Sequence, residues 1–207
     1  AFVLDQPNRQ TGIANAFAVA DQFGLALDFH VDEGLSDGLN GLELIADKVI
    51  EMGFQGPVLC GHACSLANMS GHNLQRVIDK VVQAGLTIAA LPTTNLYLQG
   101  RRQGTPDRRG ITLIHELRAA GVPVVIGTDN VCDAFCPIGR HDPRRSLSLA
   151  ILAAQLDPPF GDLFPLITTN AERALGLAPN FVDGAAIGDL LLFDAPSVSG
   201  ALECSNA

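Results

Sequence analysis

The sequence predicts an α/β fold built on parallel strands. Four short apolar runs, residues 25–30, 58–62, 87–92 and 124–129, each end in a polar or turn-forming residue, and a loop and a helically periodic stretch follow each one. Their ends fall 32, 30 and 37 residues apart, the length of a strand, a crossover helix and the return. Composition agrees: hydrophobic residues make up 47% of the 207 but aromatics only 5%, with no Trp and one Tyr. Ala, Leu, Val and Ile must therefore do the packing, as they do around buried parallel strands.

The helices between the runs follow from periodicity. Leu39, Leu42, Ile45, Ala46, Val49 and Ile50 share one helical face, and Leu74, Val77, Ile78 and Val81 mark a second amphipathic helix. A third helix spans about residues 112–120, and Gly53, Gly85 and Gly121 stand where left-handed C-caps close all three. After the fourth run come a loop, a helix near residues 145–155 and a short helix near 171–175, capped by Thr168, Thr169 or Asn170. From Ala178 the texture turns to Pro, Asn and Gly, and residues 188–194 then read as a strand. Residues 1–178 are thus expected to hold the βα units, and 179–207 to start a small β domain or form a C-terminal extension.

Charge removes whole classes of partner. Thirteen basic against twenty-two acidic residues give a net charge of −9, which repels phosphate backbones and anionic lipid. No apolar run approaches the roughly 20 residues of a membrane helix, and no basic-then-apolar leader opens the chain. Neither nucleic acid nor membrane is expected as a partner, and a cytoplasmic location follows. Cys60, Cys64, Cys132, Cys136 and Cys204 read as reduced, buried thiols, since neither the odd count nor the two C-x3-C spacings suit a disulfide framework or a structural zinc site.

In parallel βα folds of the barrel type the active site gathers at the strands' C-terminal ends. The polar residues there are His30, with Asp32 and Glu33 beyond it, then His62, and then Asp129 with Asn130. A histidine ending a buried strand can reach a metal through a ring nitrogen, a nearby carboxylate can shuttle a proton from water, and aspartate is a hard oxygen ligand. Any one of these alone is more often a packed core residue. Three at three strand ends carry a desolvation cost that a structural protein has no reason to keep. His72, His115 and His141 fall in helical or loop positions and read as surface residues, and the Arg-rich loop 101–109 reads as solvated. No G-x-S-x-G elbow, phosphate loop, G-x-G-x-x-G or H-E-x-x-H competes.

Five blocks in order carry a family resemblance: His30-Val31-Asp32-Glu33, Gly61-His62, Asn95 to Arg101, Arg109-Gly110-Ile111-Thr112 and Gly127-Thr128-Asp129-Asn130. Together they resemble the cytosine-deaminase branch of the metal-dependent amidohydrolases, from about Leu25 to Phe193. The resemblance implies the second half, strands five to eight, of a (β/α)8 TIM barrel with one divalent metal ion, zinc or iron. It implies His30 and Asp129 as metal ligands, with Asp129 also catalytic, Glu33 as proton shuttle and His62 beside a metal-bound hydroxide. Asn130 and Phe135 then fall at the substrate, a heterocyclic amine such as cytosine or a related ring, deaminated by hydroxide attack with release of ammonia. Two departures stand out. The family's H-x-H pair on strand one has no counterpart, so a complementing N-terminal half or a homo-oligomer is expected to complete the barrel. Asn130 replaces the aspartate typical of cytosine-specific members, which points toward another aminated pyrimidine, triazine or pterin-like ring. The alternatives are an amidohydrolase cleaving another amide or alkylamino C–N bond, and a non-catalytic half-barrel.

Overall fold

The computed structural model describes residues 1–203, so Cys204 lies outside the described residues. The strands are β1 (Phe2–Val3), β2 (Leu27–Val31), β3 (Val58–His62), β4 (Thr87–Ala90) and β5 (Val124–Ile126). They form one sheet in sequence order, every neighbouring pair parallel. Sequential order without reversal is barrel-like topology, unlike a doubly wound sheet, whose order switches direction.

The crossovers are α1 (Arg9–Phe23), α2 (Gly41–Met52), α3 (Gly71–Gln83), α4 (Pro92–Leu98) with α5 (Ile114–Ala119), and after β5 come α6 (Pro143–Ala153), α7 (Thr169–Ala174) and α8 (Val198–Glu203). No helix among the described residues is long and apolar enough to cross a membrane.

Two rows of side chains, one on each face, explain the position of the site. Phe29, Cys60, Ile88 and Val124 lie in register across β2 to β5, are at most 1% exposed and join the core beneath the helices. Full burial of such aliphatic or aromatic side chains stabilises the fold by about 1.5–3 kcal/mol each. The adjacent row, one residue on, is His30, Gly61, Ala89 and Val125. Because Gly61 and Ala89 bring so little bulk beside His30, this face keeps a cavity of about 280 Å³, lined also by Leu91 and Asp129 and closed on one side by Ala171, Ala174 and Leu175 around α7.

The expected helices are found, and the left-handed glycine cap is realised at Gly53, with φ of 61° after α2. Four expectations need correction. The sheet has five strands, because Phe2 and Val3 pair with His30 and Val31 ahead of the four runs. The third run stops at Ala90, since Pro92 opens α4 at a position where its missing N–H costs nothing. Residues 188–194 form no strand: a 3-10 turn at Ile187–Asp189 leads into irregular chain, with Leu191 and Leu192 exposed and no ladder partner beside them. Cys132 is exposed, on the loop after β5, while Cys60, Cys64 and Cys136 are buried free thiols.

Candidate active site

β2 and β3 lie side by side with Val31 opposite His62. Period-two alternation would send His62 to the helix side along with Cys60. The backbone prevents this: His62 and Ala63 adopt left-handed φ of 73° and 51°, and the imidazole Nε2 reaches 3.0 Å from Nδ1 of His30. Thr112 secures the turn by donating its hydroxyl to the His62 carbonyl at 2.6 Å. Asn95, at the end of α4's first turn, places Nδ2 3.0 Å from Nδ1 of His62. Both ring nitrogens of a side chain only 1% exposed thereby have neighbours.

Glu33 follows β2 and sets Oε2 3.8 Å from His62 Nε2. One ligand atom from each of His30, Glu33 and His62 lies within 4.8 Å of the others. Asp129, beyond β5, lines the same cavity as His30. Its Oδ2 is buried with no hydrogen-bond partner, and its backbone φ is 55°. Left-handed non-glycine residues cost about 1–3 kcal/mol each and gather where function holds them.

These groups set each other's protonation. Burial, and then the charge of Asp129, raise the Glu33 pKa against the opposing pull of His30. Burial lowers that of His62 to about 4, despite the nearby Asp129 carboxylate. Near neutral pH a carboxyl with raised proton affinity thus stands beside a neutral imidazole.

Asp32 belongs to the scaffold. It is 1% exposed, and its two carboxylate oxygens accept the amides of Gly41 and Leu42, both at 2.9 Å, anchoring the start of α2. Gly41 has to be glycine for this approach, since a Cβ there would stand 2.8 Å from Asp32 Oδ1 and 2.7 Å from Val31.

Asn130 and Phe135 lie on the loop after β5. Thr94 Oγ1 accepts the Asn130 amide at 3.1 Å, Asn130 Nδ2 donates to Asp133 Oδ2 at 2.6 Å, and Phe135 is 60% exposed. Asp133 also accepts the amides of Phe135 and Cys136 at Oδ1, and the bond from Asn130 holds its carboxyl below the usual carboxylate range. The sequence reading assigned no role to Asn95, Thr112 or Asp133, although the first two stand inside the family-like blocks. His72, His115 and His141 are exposed, as expected.

The chain is similar to a pterin deaminase from Rhizobium rhizogenes (strain K84), 42% identical over 176 residues, which cover 83% of this chain and 40% of that protein. It is 22% identical, over 96% of its own length and 48% of the relative, to an N-isopropylammelide isopropyl amidohydrolase of a Pseudomonas species (strain ADP). Among solved structures, the 5-methylcytosine deaminase from Klebsiella pneumoniae liganded with 5-fluorocytosine superposes with a TM-score of 0.85 and 25% identity, over 98% of this chain and 51% of that one. The chain thus spans about half, or less, of the proteins it matches, and its sheet is part of a TIM-barrel amidohydrolase fold. Residues 2–180 match the amidohydrolase family, and to that family the chain belongs.

Proposed function

We propose that this chain contributes the proton-transfer and metal-holding side of an enzyme that hydrolytically deaminates a heterocyclic amine. The observation that carries the reading is Asp129 Oδ2, buried without a partner on a cavity it shares with His30. A buried, unpartnered carboxylate oxygen on a residue lining the same cavity as an imidazole is a costly arrangement alone and a fitting one around a divalent cation. His30 and Asp129 would hold that ion, and their nitrogen and oxygen donors suit zinc or iron. When bound, the ion supplies Lewis acidity that makes water a nucleophile near neutral pH.

The chain's own residues then move protons and orient the ring. Glu33, with its raised affinity for a proton, takes one from the attacking water and delivers it to the departing amine. His62, neutral and fixed by Asn95, contributes a hydrogen bond at the water's position. Asp129 receives the second proton of the same water as the carbonyl forms and passes it on to the ring nitrogen, while Asn130 and Phe135 bound the ring. Two ligands leave a catalytic ion's shell incomplete, so the proposal includes further ligands from a complementing segment or a second copy. A cytoplasmic setting belongs to the same proposal and accords with the free thiols.

Pterin is the first ring to test, given the 42% identical relative, followed by cytosine and 5-methylcytosine. The likeness to an isopropyl amidohydrolase favours a second reading, cleavage of an alkylamino C–N bond. The experiment is elemental analysis for zinc and iron on the purified protein containing these residues, together with ammonia release from those rings. Metal near one per chain with ammonia supports the proposal. Alkylamine without ammonia selects the second reading, and a folded protein with neither metal nor turnover overturns both.

A further inference from the structure

Apart from the cavity at His30 and Asp129, the chain holds a cleft of about 440 Å³ that shares no lining residue with it. The cleft forms where the end of the loop after β5, the first turn of α4, one face of α6 and the end of α8 meet. Its size falls within the range of pockets that take small molecules. Four donor side chains on its wall are unspent. Ser146 is only 3% exposed, yet its hydroxyl has no partner among the described residues, and a buried polar group left so calls for an occupant. Thr93 and the guanidiniums of Arg140 and Arg145 likewise make no side-chain bond there. The wall's carboxylates do not answer them. Asp142 is committed to Arg144 through both oxygens, which leaves Glu203, itself exposed. Two cationic side chains thus stand against one uncommitted carboxylate, in a chain whose net charge is −9. The helix end adds little, because the amides of Arg144, Arg145 and Ser146 already go to Asp142. The rest of the cleft is apolar: Ile138 and Leu152 are 65% and 76% exposed, with Leu149 beside them on the wall. Covering such side chains is favourable.

We propose that this cleft is a second ligand site, which binds a small organic anion: a carboxylate or phosphate head on an apolar body. The hydroxyls of Thr93 and Ser146 and the guanidiniums of Arg140 and Arg145 take the head, since the planar guanidinium fork matches paired oxygens of either kind. Ile138, Leu149 and Leu152 take the body. A ligand seated there joins the loop after β5, through Ile138 and Arg140, to α6. The site stands independently of the deamination chemistry.

The test titrates phenyl phosphate, benzoate, inorganic phosphate and neutral benzyl alcohol into the purified protein that contains these residues, by calorimetry, and follows backbone hydrogen exchange on the complexes. Phenyl phosphate or benzoate, whichever head the site prefers, should bind about tenfold more tightly than inorganic phosphate or benzyl alcohol, and should slow exchange at the amides of residues 138–140. Arg145→Gln should weaken that probe by about tenfold or more, the worth of one hydrogen bond to a charged group, and Arg140→Gln should act in the same direction. Ser146→Ala should weaken it by about fivefold while thermal stability is kept or raised, because no bond is lost and alanine is the better helix former. If Ser146→Ala does not fold, the two arginine variants, at exposed positions, still decide. Failure of both organic anions to bind overturns the proposal. So does binding that none of the variants weakens and that leaves residues 138–140 unprotected, which marks an adventitious additive only. A loss of stability in the arginine variants without any ligand also overturns it, since the guanidiniums would then already be paired within the protein.

Discussion

Asn95 holds His62 from behind: Nδ2 of the one lies 3.0 Å from Nδ1 of the other, and both side chains are buried. Asn95→Leu keeps the volume and leaves a buried imidazole nitrogen unpaired, at a cost of about 1–3 kcal/mol. Urea unfolding checks it. A variant as stable as wild type would show that Asn95 contributes nothing to placing the ring.

Glu33→Gln removes the proton carrier and keeps the shape. Turnover should drop by about 10²–10⁴-fold, the usual worth of a positioned general acid–base, while metal content stays at the wild-type value. Retained ammonia release would remove Glu33 from the proposed chemistry.

At Asp129 function and stability should move in opposite directions. Asparagine tolerates the left-handed φ of 55° and removes the buried, unpaired anionic oxygen. Asp129→Asn should therefore raise the unfolding free energy of the metal-free protein by about 1 kcal/mol and weaken zinc binding. Calorimetric titration with zinc and chemical denaturation of the same sample test both signs, and a variant that loses stability contradicts the assignment.

These residues also show how far the sequence was readable. His30, Glu33, His62 and Asp129 stood out because strand ends can be located from apolar runs, and a polar residue there breaks the pattern. Asn95, Thr112 and Asp133 did not, since a hydrogen-bonding partner supplied by a loop or short helix leaves no periodic trace. The same logic separates the elements. α2 and α3 carry wide apolar faces, whereas α1 buries only Ile13, Phe17 and Ala20 along fifteen residues, and β1 is two residues long. Leu190 to Phe193 has the composition of a strand, but a strand exists only with a neighbour to share its hydrogen bonds.

Gly41→Ala tests the anchor of α2. The new methyl group would meet the side chains of Val31, Asp32 and Val3 at 2.7–2.8 Å, and overpacking of this kind costs about 1–3 kcal/mol. Thermal unfolding should register it, although alanine is the better helix former.

Asp142 supplies a pH-dependent test away from the cavity. It caps α6, accepting the Arg144 amide at 3.0 Å and the guanidinium at 2.8 Å. Partial burial opposes ionisation, yet the bonds from Arg144 outweigh it and hold the carboxyl below its ordinary 3.8. With the folded value depressed, the stabilisation is complete above about pH 4 and fades as pH falls through the folded value. Asp142→Ala should cost about 1 kcal/mol at neutral pH, with the gap to wild type closing in stronger acid. Paired urea titrations at pH 7 and pH 2.5 check this, and a constant gap would refute the cap's ionisation.

The left-handed backbones at His62 and Asp129 set how this protein can be improved. Selection for heat resistance alone, blind to turnover, would drift toward glycine or asparagine at those two strand ends, where backbone strain can be relieved. It would in the same step erase the imidazole and carboxylate that make the cavity reactive. Attempts to harden the molecule should therefore leave these hinge points untouched and work on the helical layer opposite, where rigidity and reactivity do not compete.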